Sequence, residues 1–247
     1  MGVSIGAWAP TCFNPRTSLA QPEGCGYAGA MAPLTLAIPP ILLSACLTIY
    51  GELAHRREMV YVFKPLTTGL ILLLAALPPA EGETRYRLAI VLGLCLSLLG
   101  DVFLMLPGDR FVAGLAAFLL AHLAYLAAFT MMVPFGAEPA ALLLYAAAAA
   151  AILILAWPRL GPRMRIPVIA YAAVLGGMAG QALTVASLAP APPATAAAFG
   201  AALFVLSDAA LVVNRFVRPF RLSPLVVLGT YYTAQTLIAV SVAKVLP

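Results

Sequence analysis

Charged side chains are scarce in this sequence. Only 9% of its 247 residues are Asp, Glu, Lys or Arg, whereas an ordinary soluble domain carries roughly 25%. A soluble fold could not cover its surface with so little charge, and a hydrophobic content of 63% is typical of a chain surrounded by lipid. The composition therefore predicts an integral membrane protein.

Histidine and cysteine are scarce as well. The chain has two His and four Cys, and the cysteines, at positions 12, 25, 46 and 95, show no C-x-x-C spacing. The His-rich or Cys-rich ligand sets of metal sites are missing from the sequence, and a disulfide framework is not indicated. We expect a protein that works without a metal and without a cofactor.

The net charge of +5 comes mainly from short basic segments between apolar runs. One set of alternate connections holds Arg56, Arg57, Arg110, Arg159, Arg163, Arg165, Arg215, Arg218 and Arg221, and the other holds Arg16, Arg85, Arg87 and Lys244. This asymmetry is typical of membrane topology and not of a nucleic-acid surface, so no nucleic-acid partner is expected. It predicts that the first set faces the cytoplasm and that both termini lie outside.

Eight apolar runs occupy residues 33–50, 60–77, 88–106, 111–133, 140–156, 167–188, 196–214 and 224–246. Each is long enough to cross or nearly cross ~30 Å of hydrocarbon, and the joints carry Pro and Gly where helices stop. The runs predict an all-α fold, a bundle of about eight transmembrane helices forming one domain over residues 33–247. The Ala-rich fifth run carries almost no polar residue, and we expect it to face lipid.

The first 32 residues are rich in Pro, Gly and Ala. They lack the basic start and the continuous apolar stretch of a secretory signal peptide. We expect a disordered extension over residues 1–32, and Met31, directly before the first apolar run, is a plausible start of translation. N-terminal sequencing of the purified protein tests this, because an intact segment 1–30 would contradict it.

A short internal echo relates the two halves of the chain. Residues 98–101 (LLGD) resemble residues 205–208 (VLSD), and Lys64-Pro65 is placed in the second run as Ile166-Pro167 is in the sixth. Two parallel four-helix halves would produce this spacing, an arrangement also seen in transporters.

Four ionisable residues lie inside the apolar runs: Lys64, Asp101, His122 and Asp208. A charge at this depth costs several kcal/mol unless it is paired or faces water. Under the predicted topology most polar residues of the runs lie in the cytoplasmic half, together with Tyr171, Tyr231, Tyr232 and Gln235. The pattern predicts a water-accessible cavity that opens to the cytoplasm.

Structural explanations compete with a functional one for several of these residues. Lys64 could extend to the interface, or form an ion pair with Asp101 or Asp208. His122 and Tyr125, three residues apart on one helix, could form a hydrogen-bonded packing pair. The basic residues that follow Asp208, Arg215 among them, could serve topology and contact lipid head groups.

The motifs together resemble those of the YhhN-like lysoplasmalogenase family. The likeness runs from about residue 33 to residue 245. It rests on the segments Lys64-Pro65, 100–104 (GDVFL), 121–125 (AHLAY), Tyr171, 206–208 (LSD), 214–216 (NRF) and 230–235 (TYYTAQ).

The resemblance implies an eight-helix membrane hydrolase that cleaves the vinyl ether bond of lysoplasmalogens. The products are a fatty aldehyde and glycerophosphocholine or glycerophosphoethanolamine. Enol-ether hydrolysis needs an acid, a base and a nearby negative charge, and we expect Asp208 as acid and Asp101 as base or oxocarbenium stabiliser. The predicted supporting residues are Lys64, His122, Tyr171, Asn214, Arg215, Tyr231, Tyr232 and Gln235, with a lysolipid and membrane lipids as partners.

Two other functions fit parts of the pattern. The repeat and the buried charges are compatible with a lipid or small-molecule transporter or flippase, which would open to both sides of the membrane. A non-catalytic scaffold or receptor leaves two buried aspartates unexplained. The expected location is the inner membrane of a bacterium, or the endoplasmic reticulum membrane of a eukaryote.

Overall fold

Eight α-helices account for most of the chain. The computed structural model describes residues 25–77 and 84–242. The helices are α1 (Cys25–Leu53), α2 (Arg57–Ala76), α3 (Thr84–Met105), α4 (Phe111–Met132), α5 (Pro139–Ala156), α6 (Pro162–Leu188), α7 (Pro192–Val212) and α8 (Ser223–Val240). A 3₁₀ turn, Trp157–Arg159, follows α5, and a π-helical turn, Val213–Val217, follows α7. The prediction of an all-α, eight-helix fold is confirmed.

Seven of the described helices, α1 to α7, are long and apolar enough to cross a membrane. The eighth, α8, is 18 residues long, which at 1.5 Å per residue spans about 27 Å. Its inner face carries polar residues, including Tyr231, Tyr232 and Gln235. All three are buried against neighbouring helices, so they do not meet lipid.

The helix boundaries follow from proline and glycine. Pro139, Pro162 and Pro192 each stand in the first turn of a helix, where the missing N–H removes no helical hydrogen bond. The turn before α4 contains Gly108 with φ +92° and Asp109 with φ +47°. This left-handed backbone reverses the chain within a few residues.

The N-terminal boundary differs from the sequence-based expectation. Residues 1–24 of the predicted disordered extension lie outside the described residues. Residues 25–32 belong to α1, so this helix begins eight residues before the predicted start at residue 33. The apolar run marks the part of the helix that hydrocarbon requires, and helices often continue beyond it into the interface.

Six helices form a ring, in the order α2, α3, α4, α6, α7 and α8, and α8 closes it against α2. The remaining two, α1 and α5, pack outside the ring, mainly on α2 and α6 respectively. In each half of the chain, therefore, the first helix is peripheral and the fourth contacts the second helix of the other half. Two similar four-helix halves produce this arrangement.

The contact between α7 and α8 depends on a glycine. A Cβ atom at Gly200 would lie 2.8 Å from the backbone oxygen of Ala234 and 3.0 Å from Cγ1 of Ile238. We expect Gly200→Ala to push the helices apart and to lower the free energy of unfolding by roughly 1–3 kcal/mol, the usual cost of overpacking. Thermal unfolding in detergent measures this. Gly177 is the matched control, because it has no such neighbour within 4 Å, and equal melting temperatures for both alanine variants would contradict the prediction.

Candidate active site

A cavity of about 450 Å³ lies inside the helix ring. It reaches the end of the bundle formed by the α1–α2, α3–α4, α5–α6 and α7–α8 connections, which we call the basic end because nine arginines lie there. Seven of the predicted site residues line the cavity: Lys64, Asp101, Tyr171, Asp208, Asn214, Arg215 and Tyr231. They come from α2, α3, α6, α7, the π-helical turn and α8.

Asp101 is held by three donors. Its Oδ1 atom lies 3.8 Å from Nζ of Lys64, and its Oδ2 atom accepts hydrogen bonds from the hydroxyls of Thr68, at 2.6 Å, and Tyr231, at 2.8 Å. The aspartate is only 2% exposed. One positive charge and two hydrogen-bond donors compensate the burial of the Asp101 carboxyl group. The structure therefore places Lys64 with Asp101, one of the two ion pairs that the sequence left open.

Asp208 has a different environment. Its Oδ2 atom accepts one hydrogen bond, 2.6 Å long, from the hydroxyl of Tyr171. Within the described part of the chain, no Lys or Arg nitrogen forms an ion pair with it. The residue is 9% exposed, and its contact with the cavity is its access to solvent or ligand. The two aspartates thus line the same cavity but have different hydrogen-bond and ion-pair partners.

Three predicted site residues, His122, Tyr232 and Gln235, are buried but do not line the cavity. The His122 ring meets the Tyr171 ring edge-on at a centroid distance of 5.2 Å. Gln235 accepts a 2.7 Å hydrogen bond from the hydroxyl of Tyr125. Tyr125 therefore bonds to α8 and not to His122, and the packing pair considered from the sequence does not form a hydrogen bond.

An aromatic cluster lies at the inner end of the cavity, where Phe118 and Tyr231 belong to the lining. Phe204 contacts the rings of Phe118, His122 and Tyr231 edge-on, with centroid distances of 6.4, 4.6 and 5.5 Å. Such contacts favour a fixed arrangement of rings. The cluster packs against Tyr171 and Tyr231, which bond the two aspartates.

Arg215 lies at the basic end of the cavity. Its guanidinium donates to both carboxylate oxygens of Asp109, at 2.7 and 2.8 Å, and lies 4.5 Å from the ring centre of Phe111. The Arg215 and Asp109 side chains are 39% and 68% exposed, so this ion pair contributes little to stability. Asn214 accepts a hydrogen bond from the backbone N–H of Phe220 at 3.1 Å, which ties the π-helical turn to the following segment.

Sequence reasoning missed several residues of the site. Thr68, which donates to Asp101, follows Lys64 by four residues on α2, and this spacing was a usable signal. Glu52 and the serines Ser207 and Ser223 also line the cavity. Asp109, in the turn before α4, carries no sequence signal that relates it to Arg215.

Comparison with known proteins identifies relatives over most of the chain. The sequence model of the YhhN family matches residues 59–242. Human "Lysoplasmalogenase TMEM86B" is 33% identical over 212 residues, which cover 84% of this chain and 86% of that protein. No solved structure matches the chain.

Two bacterial relatives have similar identities. "Lysoplasmalogenase" from Mycobacterium tuberculosis (strain CDC 1551 / Oshkosh) is 31% identical over 245 residues, covering 96% of this chain and 87% of that protein. "Uncharacterized membrane protein YhhN" from Escherichia coli O157:H7 is 31% identical over 201 residues, covering 80% of this chain and 94% of that protein. The family match, over residues 59–242, includes the cavity-lining residues from Lys64 on α2 to Tyr231 on α8.

Proposed function

The chain belongs to the YhhN family, and from this membership we propose that it is a membrane enzyme that hydrolyses the vinyl ether bond of lysoplasmalogens. The names of the human and mycobacterial relatives support this activity. The observation that carries the proposal is one cavity lined by two buried aspartates, of which only Asp101 is paired with a cation among the residues that the structure describes. The substrates are alkenyl lysolipids with a phosphocholine or phosphoethanolamine head group.

The two aspartates divide the acid and base roles. Asp101 is the ionised partner, because Lys64 and two hydroxyl donors stabilise its negative charge. Asp208 is the protonated partner, because a buried carboxyl group without a cation is less costly in its neutral form. Pairs of carboxyl groups in unlike surroundings are a common means of running acid and base chemistry in one site.

The first step is proton transfer to carbon. Asp208 donates its proton to the β-carbon of the vinyl ether, and the C=C electron pair forms the new C–H bond. The resulting oxocarbenium ion carries a positive charge shared by the α-carbon and the ether oxygen. The Asp101 carboxylate faces the same cavity and stabilises this charge, in the way that a carboxylate does in glycoside hydrolysis.

The second step is the addition of water. Asp101 takes a proton from a water molecule while the oxygen of that water bonds to the α-carbon, and a hemiacetal forms. The hemiacetal then collapses. Asp208 accepts the proton of the hemiacetal hydroxyl group, and the proton on Asp101 passes to the departing ether oxygen. The products are an aldehyde and a glycerophospho-alcohol, and both aspartates return to their starting forms.

The remaining predicted residues have supporting roles in the proposal. Tyr171 and Tyr231 each donate to one aspartate and fix its orientation. His122 packs on Tyr171, and Tyr232 packs on Tyr231 with a centroid distance of 5.2 Å. These packing residues act through the tyrosines, because they do not line the cavity.

Arg215 is the proposed ligand of the substrate phosphate. We expect Arg215→Gln to raise KM for an alkenyl lysophosphocholine about tenfold with little change in kcat, because one charge-assisted hydrogen bond at a partly exposed site is lost. Steady-state kinetics measure this. KM for an alkenyl glycerol without phosphate should not change, and Arg221→Gln, outside the cavity lining, is the control. An equal rise in KM for both substrates would contradict the role.

The proposed activity is tested by aldehyde release. Purified protein in detergent is incubated with alkenyl lysophosphocholine or lysophosphoethanolamine, and free aldehyde is followed with a coupled dehydrogenase. We expect enzyme-dependent release from at least one of the two substrates. The absence of release from both, with protein that retains its thermal unfolding transition, would contradict the proposal. Flippase activity is not favoured, because the residues that line the cavity lie in the half of each helix nearer the basic end.

A further inference from the structure

The alkyl chain of a lysolipid needs a path out of the cavity. With the phosphate at Arg215 and the vinyl ether between the aspartates, the chain points away from the basic end. The aromatic cluster of Phe118, His122, Phe204 and Tyr231 lies on the straight path beyond the aspartates. The chain must therefore leave sideways, between helices.

A second, apolar groove meets the cavity at this level. It lies between α5, α6 and α7 and has about 50 Å³ of free volume. Small residues form much of its walls, among them Ala148 and Ala149 on α5, Ala172 and Gly176 on α6, and Ala209 on α7. Side chains of this size leave a smooth, narrow slot along the helices.

The groove and the cavity share a wall. Four residues line both of them: Val168, Tyr171, Asp208 and Val212. Asp208, the proposed proton donor, thus lies at the junction of the polar cavity and the apolar groove. An atom of a ligand placed at this junction could touch the carboxyl group while one side of the ligand lies among polar groups and the other among methyl groups.

We propose that this groove holds the alkyl chain of the substrate, next to the bond that is cleaved. The inference rests on the proposed function and adds the place and the chemical class of a second subsite. A hydrocarbon chain suits the walls, because Tyr145, Tyr171 and Asp208 are the only polar side chains among the described residues that line them. The first carbons of a single alkyl chain fit this narrow slot. The remainder of the alkyl chain lies among the membrane lipids along α5, which is largely exposed.

The peripheral position of α5 places the groove next to the membrane lipids. Only Ala141 and Ala156 are buried on α5, and the helix packs mainly on α6. The groove therefore lies at the edge of the bundle, where the alkyl chain of the substrate can reach the bilayer. The Ala-rich sequence of α5, which contains almost no polar residue, forms part of the groove wall through Ala148 and Ala149.

Narrowing the groove should make the enzyme select against long chains. We expect Ala149→Phe and Ala172→Phe to lower kcat/KM for a sixteen-carbon alkenyl lysophosphocholine at least about tenfold, because a displaced chain misplaces the vinyl ether. The same variants should cleave a four-carbon analogue at nearly the rate of the unmodified enzyme. Ala150→Phe and Ala173→Phe are matched controls on the same helices, since both residues are exposed to lipid. An equal loss for both chain lengths, or no loss for either, would overturn the proposal.

Photochemical labelling tests the groove without turnover. The probe is an ester-linked lysophosphocholine with a diazirine on a carbon of its alkyl chain close to the ester. It is incubated with the full-length protein in detergent, and labelled peptides are mapped by mass spectrometry. We expect labelled peptides from α5 and α6, with less labelling in Ala149→Phe. Labelling there without aldehyde release from alkenyl lysolipids would contradict the proposed function but not the groove. Aldehyde release with labelling confined to other helices would contradict the groove alone.

Discussion

Asp208→Asn lowers kcat for aldehyde release about a thousandfold, as expected when a general acid is removed. An amide cannot give a proton to the β-carbon of the vinyl ether. The amide oxygen can still accept the hydrogen bond that the Tyr171 hydroxyl donates to Asp208 at 2.6 Å in the unmodified protein. We therefore expect the fold and substrate binding to be retained, so that the loss falls on kcat and not on KM.

The measurement is steady-state aldehyde release from purified variants, together with thermal unfolding in the same detergent. Glu58→Gln is the matched control, because it exchanges a carboxylate for an amide at an exposed position near the same end of the bundle. A rate for Asp208→Asn within tenfold of the unmodified enzyme would remove Asp208 from the mechanism. A parallel loss of the unfolding transition would assign it a structural role instead.

Asp101→Asn lowers both activity and stability. The base and the stabilising charge of the oxocarbenium ion are lost, and we expect kcat to fall about a thousandfold. Lys64, whose Nζ lies 3.8 Å from the Asp101 carboxylate, would keep a buried charge without its partner. Breaking such a pair typically costs about 3–5 kcal/mol, so the melting temperature should fall clearly as well.

A double variant separates catalysis from structure at Asp101. Lys64→Met removes the orphaned charge, and we expect Lys64→Met/Asp101→Asn to recover most of the stability lost in Asp101→Asn. Aldehyde release should remain as low as in the single variant. If activity returned together with stability, Asp101 and Lys64 would be a structural ion pair, the alternative that the sequence left open.

The sequence predicted the helices well because lipid imposes a simple rule. A chain in hydrocarbon must pair its backbone groups within helices, so apolar runs and helices nearly coincide. The fourth run, predicted at 111–133, is α4 at Phe111–Met132, and the fifth, predicted at 140–156, is α5 at Pro139–Ala156. The sixth helix begins at Pro162, five residues before its run, because its first turn is basic and lies at the interface.

The gathering of the charges was predictable for the same reason. Lys64, Asp101 and Asp208 are too costly to face lipid, so they had to face the interior. Which aspartate pairs with Lys64 depends on the order of helices in the ring and on the rotation of each helix. Both are tertiary properties that one sequence does not encode locally. The left-handed turn that brings Asp109 to Arg215 is equally non-local.

The membrane orientation, the absence of a metal or cofactor and the roles of the two aspartates are predictions. The orientation of the basic end towards the cytoplasm rests on the count of arginines and lysines. The absence of a metal or a cofactor rests on the composition of the sequence. The roles of the two aspartates rest on their surroundings, with Lys64 and two hydroxyl donors at Asp101 and a single tyrosine at Asp208.

The central claim, acid-initiated hydrolysis of a vinyl ether, is tested most directly by isotope labelling of the products. The purified protein cleaves an alkenyl lysophosphocholine in D₂O enriched in ¹⁸O, and the aldehyde is reduced as it forms and analysed by mass spectrometry. The mechanism predicts one deuterium on the carbon next to the former aldehyde carbon and no ¹⁸O in the glycerophosphocholine. An aldehyde without deuterium on that carbon, or ¹⁸O in the glycerophosphocholine, would contradict it.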